Sequence, residues 1–102
     1  MSPSGIQEVE ALAIAGRFAD ARAAFNRARK SHNSDWRLAF AGDCEEAGDR
    51  IAGTHPDAAR WFYNLALDEF RPFASSAETA ADSYERGAMV AIVEQKLRAL
   101  PK

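Results

Sequence analysis

Apolar residues recur at steps of three and four along nearly the whole chain, and no stretch alternates apolar and polar residues long enough to make a strand. A helical period without a strand period confines the chain to an all-α fold. Alanine, the best helix former, fills 22 of the 102 positions, and β-branched residues are few. A chain of this length makes one domain, 1–102, with room for a single core without covalent staples. The lone cysteine, Cys44, excludes an intrachain disulfide and a cysteine zinc site. A formal net charge of −2 argues against nucleic acid or an anionic membrane surface as partner. The longest apolar run, 88–93, falls far short of the roughly 20 residues of a membrane helix. Residues 1–5 carry no basic leader and no apolar run follows them, so a cytoplasmic protein is expected.

Glycine, proline and capping residues divide the chain into five expected helices. The first, 5–15, has Ser4 and Gln7 in the form of a capping box and stops at Gly16. Its apolar stripe is Ile6, Val9, Leu12 and Ala13. The second, 18–31, places Ala21, Ala24, Phe25 and Ala28 on one face, and residues 32–35 interrupt the pattern. The third, 35–52, carries the stripe Trp36, Phe40, Cys44, Ala47 and Ile51 and ends at Gly53. Thr54, Pro56 and Asp57 then supply a capping oxygen, a first-turn proline and an acid at the positive end of the helix dipole. The fourth helix, 56–70, is apolar nearly all round, so neighbours should surround it. Residues 71–74, with Pro72, read as a break, and Ser75 with Glu78 reads as another capping box. The fifth helix, 76–99, has one stripe of Ala77, Ala81, Tyr84, Ala88, Ala91 and Ile92, and a second of Met89, Val93 and Leu97.

Residues 21–28 align with 59–66 at an offset of 38, with Ala, Arg, Asn and Ala identical and Phe25 matched by Tyr63. The shared pattern is Ala-x-x-x-aromatic-x-x-Ala, in which small residues let helices approach and the aromatic fills the space between them. Gly16, Ala21, Phe25 and Ala28, with Val9 and Leu12 before them, resemble a tetratricopeptide repeat. The pattern departs at the early Trp position, which is Gly5, at the missing closing proline near Asn33, and in its period of 38 against about 34 for the family. The resemblance implies antiparallel helix pairs, one and two, then three and four, stacked with a concave face and capped by helix five. The family's clamp for C-terminal carboxylates needs Lys and Asn on the first helix. Here that helix offers Gln7, Glu8 and Glu10, so an acidic C-terminal tail is not the expected ligand.

Each cluster that could carry chemistry also has a structural reading. Asp43, Glu45, Glu46 and Asp49 on helix three suit an acid/base pair or a divalent cation. They equally suit a solvated acidic face with Glu46 paired to Arg50 four residues on. With His32 or His55 they would form the site of a small metal-dependent enzyme, the reading opposed to a binding module. Cys44 belongs to an apolar stripe, which makes it a packing residue rather than a nucleophile. Arg17, Arg22, Arg27, Arg29 and Lys30 less Asp20 leave helix two at +4, able to meet an acidic partner or acidic helix three. Trp61, Phe62, Phe70 and Phe73 cannot all point into one small core unless helix four is central; otherwise some of them line a docking groove.

The resulting expectation is an all-α stack of about five antiparallel helices with a long C-terminal capping helix. Its function would be protein–protein interaction, as a small adaptor or chaperone-like protein without catalytic residues, metal or cofactor. The partner-binding residues would be Trp61, Phe62, Phe70, Phe73, Arg22 and Arg29. Met89, Val93 and Leu97 would either join two copies in a homodimer or fold back into the core. A self-associating structural bundle without a separate ligand and a small metal-dependent enzyme using the helix-three carboxylates are the alternatives.

Overall fold

The computed structural model describes residues 6–30 and 34–101, with side chains of the second segment from Leu38 onward. The Ser4 cap, His32, Asn33 and the side chain of Trp36 therefore lie outside the described residues. Five helices occur in chain order: α1 Ile6–Ile14, α2 Phe18–Lys30, α3 Ser34–Ile51, α4 Pro56–Ser75 and α5 Ala80–Ala99. There is no strand among the described residues, and the class is all-α.

Gly16 ends α1 with φ at +79°, the left-handed region open to glycine at little steric cost. The Gly16 N–H donates to the Ala13 carbonyl at 3.0 Å and the Arg17 N–H to the Leu12 carbonyl at 2.9 Å. These two bonds close the end of α1 as a Schellman turn and send α2 back along α1. At the next turn Pro56 opens α4, where its missing N–H costs nothing. The capping oxygen expected from Thr54 is used elsewhere. Its hydroxyl donates to the Ile51 carbonyl at 3.4 Å, closing α3, and His55 precedes α4 without a side-chain cap.

The expected break at Pro72 does not occur. α4 continues to Ser75, and α5 starts at Ala80 with Thr79 as cap, its hydroxyl accepting from the Asp82 N–H at 3.1 Å. Pro72 is exposed, so the carbonyl it leaves unpaired can turn to water. The last turn of α4 is held from outside by Arg86. Its guanidinium lies 3.9 Å from the centre of the Phe73 ring and donates to the Phe73 carbonyl at 2.9 Å and the Ser76 hydroxyl at 3.2 Å. A cation at a helix C-terminus satisfies carbonyls that have no helical partner and favours the dipole.

α4 is central. It packs most extensively on α3 and α5, and α1 also reaches it. Ala58, Ala59, Phe62, Tyr63, Leu65, Ala66, Leu67 and Phe70 are buried, which accounts for a helix apolar nearly all round. On α3 the stripe Phe40, Cys44, Ala47 and Ile51 is buried as its spacing required. Phe25 of α2 stacks on Phe40 with ring centres 5.1 Å apart, tying the first hairpin to α3. Gly48 lets α3 and α4 meet: a Cβ there would lie 2.6 Å from Cε1 of Tyr63.

On α5 the two expected faces exchange roles. Val93 is fully buried, and Val90 and Leu97 pack against the core. Tyr84 and Ile92 face outward, 81% and 50% exposed, with Ala81, Ala88 and Ala91 exposed between them. Val93 and Leu97 are thus not free for self-association, while Met89 stays exposed at the edge.

Candidate functional site

The turns before α2 and α4 lie side by side and shape an apolar groove. The Schellman turn at Gly16 delivers Phe18 to the first turn of α2, and Pro56 sets the start of α4 one turn before Trp61. Phe18 and Trp61, both half-buried, meet with ring centres 5.9 Å apart. Trp61 rests edge-on against Phe62, 5.2 Å between centres, and Phe62 is fully buried. A half-exposed indole wedged between two rings has few rotamers left to lose when something binds it.

Two depressions share Phe18 and Asp57. One, of about 280 Å3, lies among Ile14, Gly16, Thr54, His55 and Pro56; the other, of about 310 Å3, lies among Arg60, Trp61 and Asn64. Ile14 is 38% exposed there. The rim is polar: Asp57 pairs with Arg60 at 3.6 Å, Arg60 also donates to the Pro101 carbonyl at 3.2 Å, and Asn64 is exposed. An apolar floor with a hydrogen-bonding rim is the general build of a site for a side chain or short segment.

Of the expected partner-binding residues, only Trp61 lies in this groove. Phe62 and Phe70 are core residues, because α4 is enclosed on the sides they occupy. Phe73 is half-buried beneath Arg86, more than three helical turns away. Arg22 and Arg29 line a separate depression of about 380 Å3 with Asn26 and Lys30. They are also tied to α4, Arg22 to Asp68 at 3.7 Å and Arg29 to Glu69 at 2.7 Å. Arg27 reaches Glu8 at 3.4 Å and Arg17 reaches Asp20 at 2.6 Å. Arg22, Arg27 and Arg29 thus pair with carboxylates of α1 and α4, and Arg17 with Asp20 of α2 itself. Ile14, Phe18, Pro56 and Asn64 carried no site signal in sequence; only the tertiary contact of two turns gathers them.

Two of the α3 carboxylates, Glu45 and Asp49, are tied to α4 and α5. Lys96 of α5 donates to Glu45 at 2.5 Å and to Asp49 at 3.0 Å, and the Tyr63 hydroxyl donates to Asp49 at 2.7 Å. Burial pushes the Tyr63 phenol well above its ordinary pKa, and the bond to Asp49 with the charges of Asp49 and Glu45 adds to the rise. For Lys96 burial opposes the charge, but the bonds to Glu45 and Asp49 and their charges outweigh it and lift the pKa. Arg50 pairs with Glu10 of α1 at 3.2 Å, in place of the expected Glu46. Among the described residues no three His, Cys, Asp or Glu side chains are grouped to hold a metal ion. Cys44 is buried; desolvation drives its thiol pKa far up, and the charges of Asp43 and Glu69 push the same way. No helix of the described residues is long and apolar enough to cross a membrane.

No protein-family model, curated protein or solved structure matches the chain.

Proposed function

We propose that the chain is a non-catalytic protein-interaction module, a small helical adaptor or chaperone-like protein that docks a segment of a protein partner in the groove between the starts of α2 and α4. The observation that carries this reading is the half-exposed Phe18–Trp61 pair, braced by buried Phe62. Aromatic residues in a depression with a polar rim are the usual anchors of protein recognition. The occupant is a short extended segment with two apolar side chains. One would enter beside Ile14 and Pro56 and the other beside Trp61, with backbone amides paired to Asn64 and Thr54 at the rim. The hairpins α1–α2 and α3–α4 support a tetratricopeptide-like reading of the scaffold. So does the burial of Ala21 and Phe25 on α2 and of Ala59 and Tyr63 on α4, at matched positions of the repeat.

Panning a random peptide library on the wild type and on Trp61→Ala tests the proposal. Expected are peptides with two spaced apolar residues that bind the wild type and lose at least about tenfold in affinity on Trp61→Ala or Phe18→Ala, since a buried aromatic anchor is worth more than about 1.4 kcal/mol. Binders that hold equally well to Trp61→Ala, or a library that yields none, would refute it.

A further inference from the structure

We propose that a second copy of this chain covers the outward face of α5, the two α5 helices running antiparallel about a twofold axis at Ala88. Eight exposed residues make up that face: Ala81, Tyr84, Glu85, Ala88, Ala91, Ile92, Gln95 and Ala99. At 100° per residue they fall within about 60° of Ala88, opposite the buried Val90, Val93 and Leu97. Glu85 is the one charged residue among them. A helix face turned to water is ordinarily charged or polar, yet this one leaves Tyr84 81% and Ile92 50% exposed among alanines.

The arrangement of the face selects the occupant. An antiparallel twofold axis at position 88 pairs positions whose numbers sum to 176. Tyr84 then meets Ile92 of the second copy, and Ile92 meets its Tyr84, so each large side chain rests on the other. Ala81 faces Gln95, Glu85 faces Ala91, and Ala88 faces itself. Small residues at the axis let the two backbones come within the 8–10 Å usual for packed helices. Charge points the same way. Glu78 and Asp82 lie at the start of α5 and Arg98 in its last turn, and among the described residues none of the three has an ion-pair partner within the chain. The antiparallel pairing sets Arg98, in the last turn of one α5, level with the acidic first turn of the other and opposes the two helix dipoles. A parallel pairing would set Arg98 against Arg98. The contact strip is roughly 30 Å long and 10 Å wide, about 600 Å2 over both copies, so the dimer is weak and reversible.

This surface is remote from the Trp61 groove, and its test is independent of peptide binding. Sedimentation equilibrium of the wild type should show a monomer–dimer equilibrium approaching half-dimer by about 1 mM. Ile92→Asp and Tyr84→Asp should be monomeric with an unchanged helical circular dichroism spectrum, since both side chains are exposed. Cysteine cross-linking reads the register, with buried Cys44 silent. Ala88→Cys should form an intermolecular disulfide on mild oxidation. Tyr84→Cys and Ile92→Cys should cross-link when mixed and not alone, because like positions lie about 12 Å apart along the axis, beyond disulfide reach. A wild type that stays monomeric, a dimer that survives Ile92→Asp, one abolished by Trp61→Ala, or disulfides in Tyr84→Cys alone would each overturn the proposal.

Discussion

Replacing Gly48 with alanine should destabilise this helical protein, against the propensity of the two residues. In an exposed helix the change gains about 1 kcal/mol. At position 48 the new Cβ would lie 2.6 Å from Cε1, 2.9 Å from Cδ1 and 3.0 Å from Cζ of Tyr63. Ordinary carbon contacts begin near 3.4 Å, so the ring or the helices must yield by about 0.8 Å. The ring has little freedom: Tyr63 is 2% exposed, and its hydroxyl is held by Asp49 at 2.7 Å. Overpacking a filled site costs about 1–3 kcal/mol. If the ring swings away, a hydrogen bond to a carboxylate worth about 1.5–3 kcal/mol goes with it. Net of the propensity gain, the loss is about 2 kcal/mol, a fall of roughly 10 °C in melting temperature for a domain of this size. Gly42, on the same helix, has nothing within 4 Å of its would-be Cβ, so Gly42→Ala should stabilise by about 0.5–1 kcal/mol. Thermal and urea melts of both variants measure the contrast. A Gly48→Ala protein as stable as Gly42→Ala would refute the close approach of α3 and α4 at this point.

The Lys96–Asp49–Tyr63 cluster makes the fold sensitive to alkali. Both pKa values are raised in the folded chain, so the stability they contribute is fully present below their ordinary values of 10.0 for tyrosine and 10.5 for lysine, and is lost as pH rises through the folded values. Melting temperature should fall above about pH 10, and less steeply in Tyr63→Phe, which no longer has a phenol to ionise. Cys44 should resist a thiol-specific chromogenic reagent at mildly alkaline pH in the native protein and react fully after unfolding, because burial keeps the thiol protonated as well as covered. Rapid native labelling would show that α3 opens on the time scale of the assay.

The class, the number of helices and most of their ends were legible from local pattern alone. Gly16 could be read as a stop because few other residues take its positive φ, and Pro56 as a start because a first-turn proline lacks only an N–H that the helix does not use. The stripe Phe40, Cys44, Ala47 and Ile51 was legible as core because a 3.6-residue period leaves those positions one common direction. These are local constraints, carried by a residue and its near neighbours. The remaining features depend on residues far apart in the chain. Pro72 sits inside α4 because Arg86, fourteen positions later, holds the helix end. Trp61 and Phe62 are adjacent and alike in sequence, yet one lines a groove and the other is core, since a 100° step carries them to sides of α4 that only the surrounding helices distinguish. Both faces of α5 are apolar, so periodicity alone could not choose between them. Contact with α4 turned Val90, Val93 and Leu97 inward and left Tyr84 and Ile92 outside. The charges of α2 likewise found Asp68 and Glu69 on α4, because ion pairs form wherever packing brings opposite charges together, and packing is set by the apolar faces.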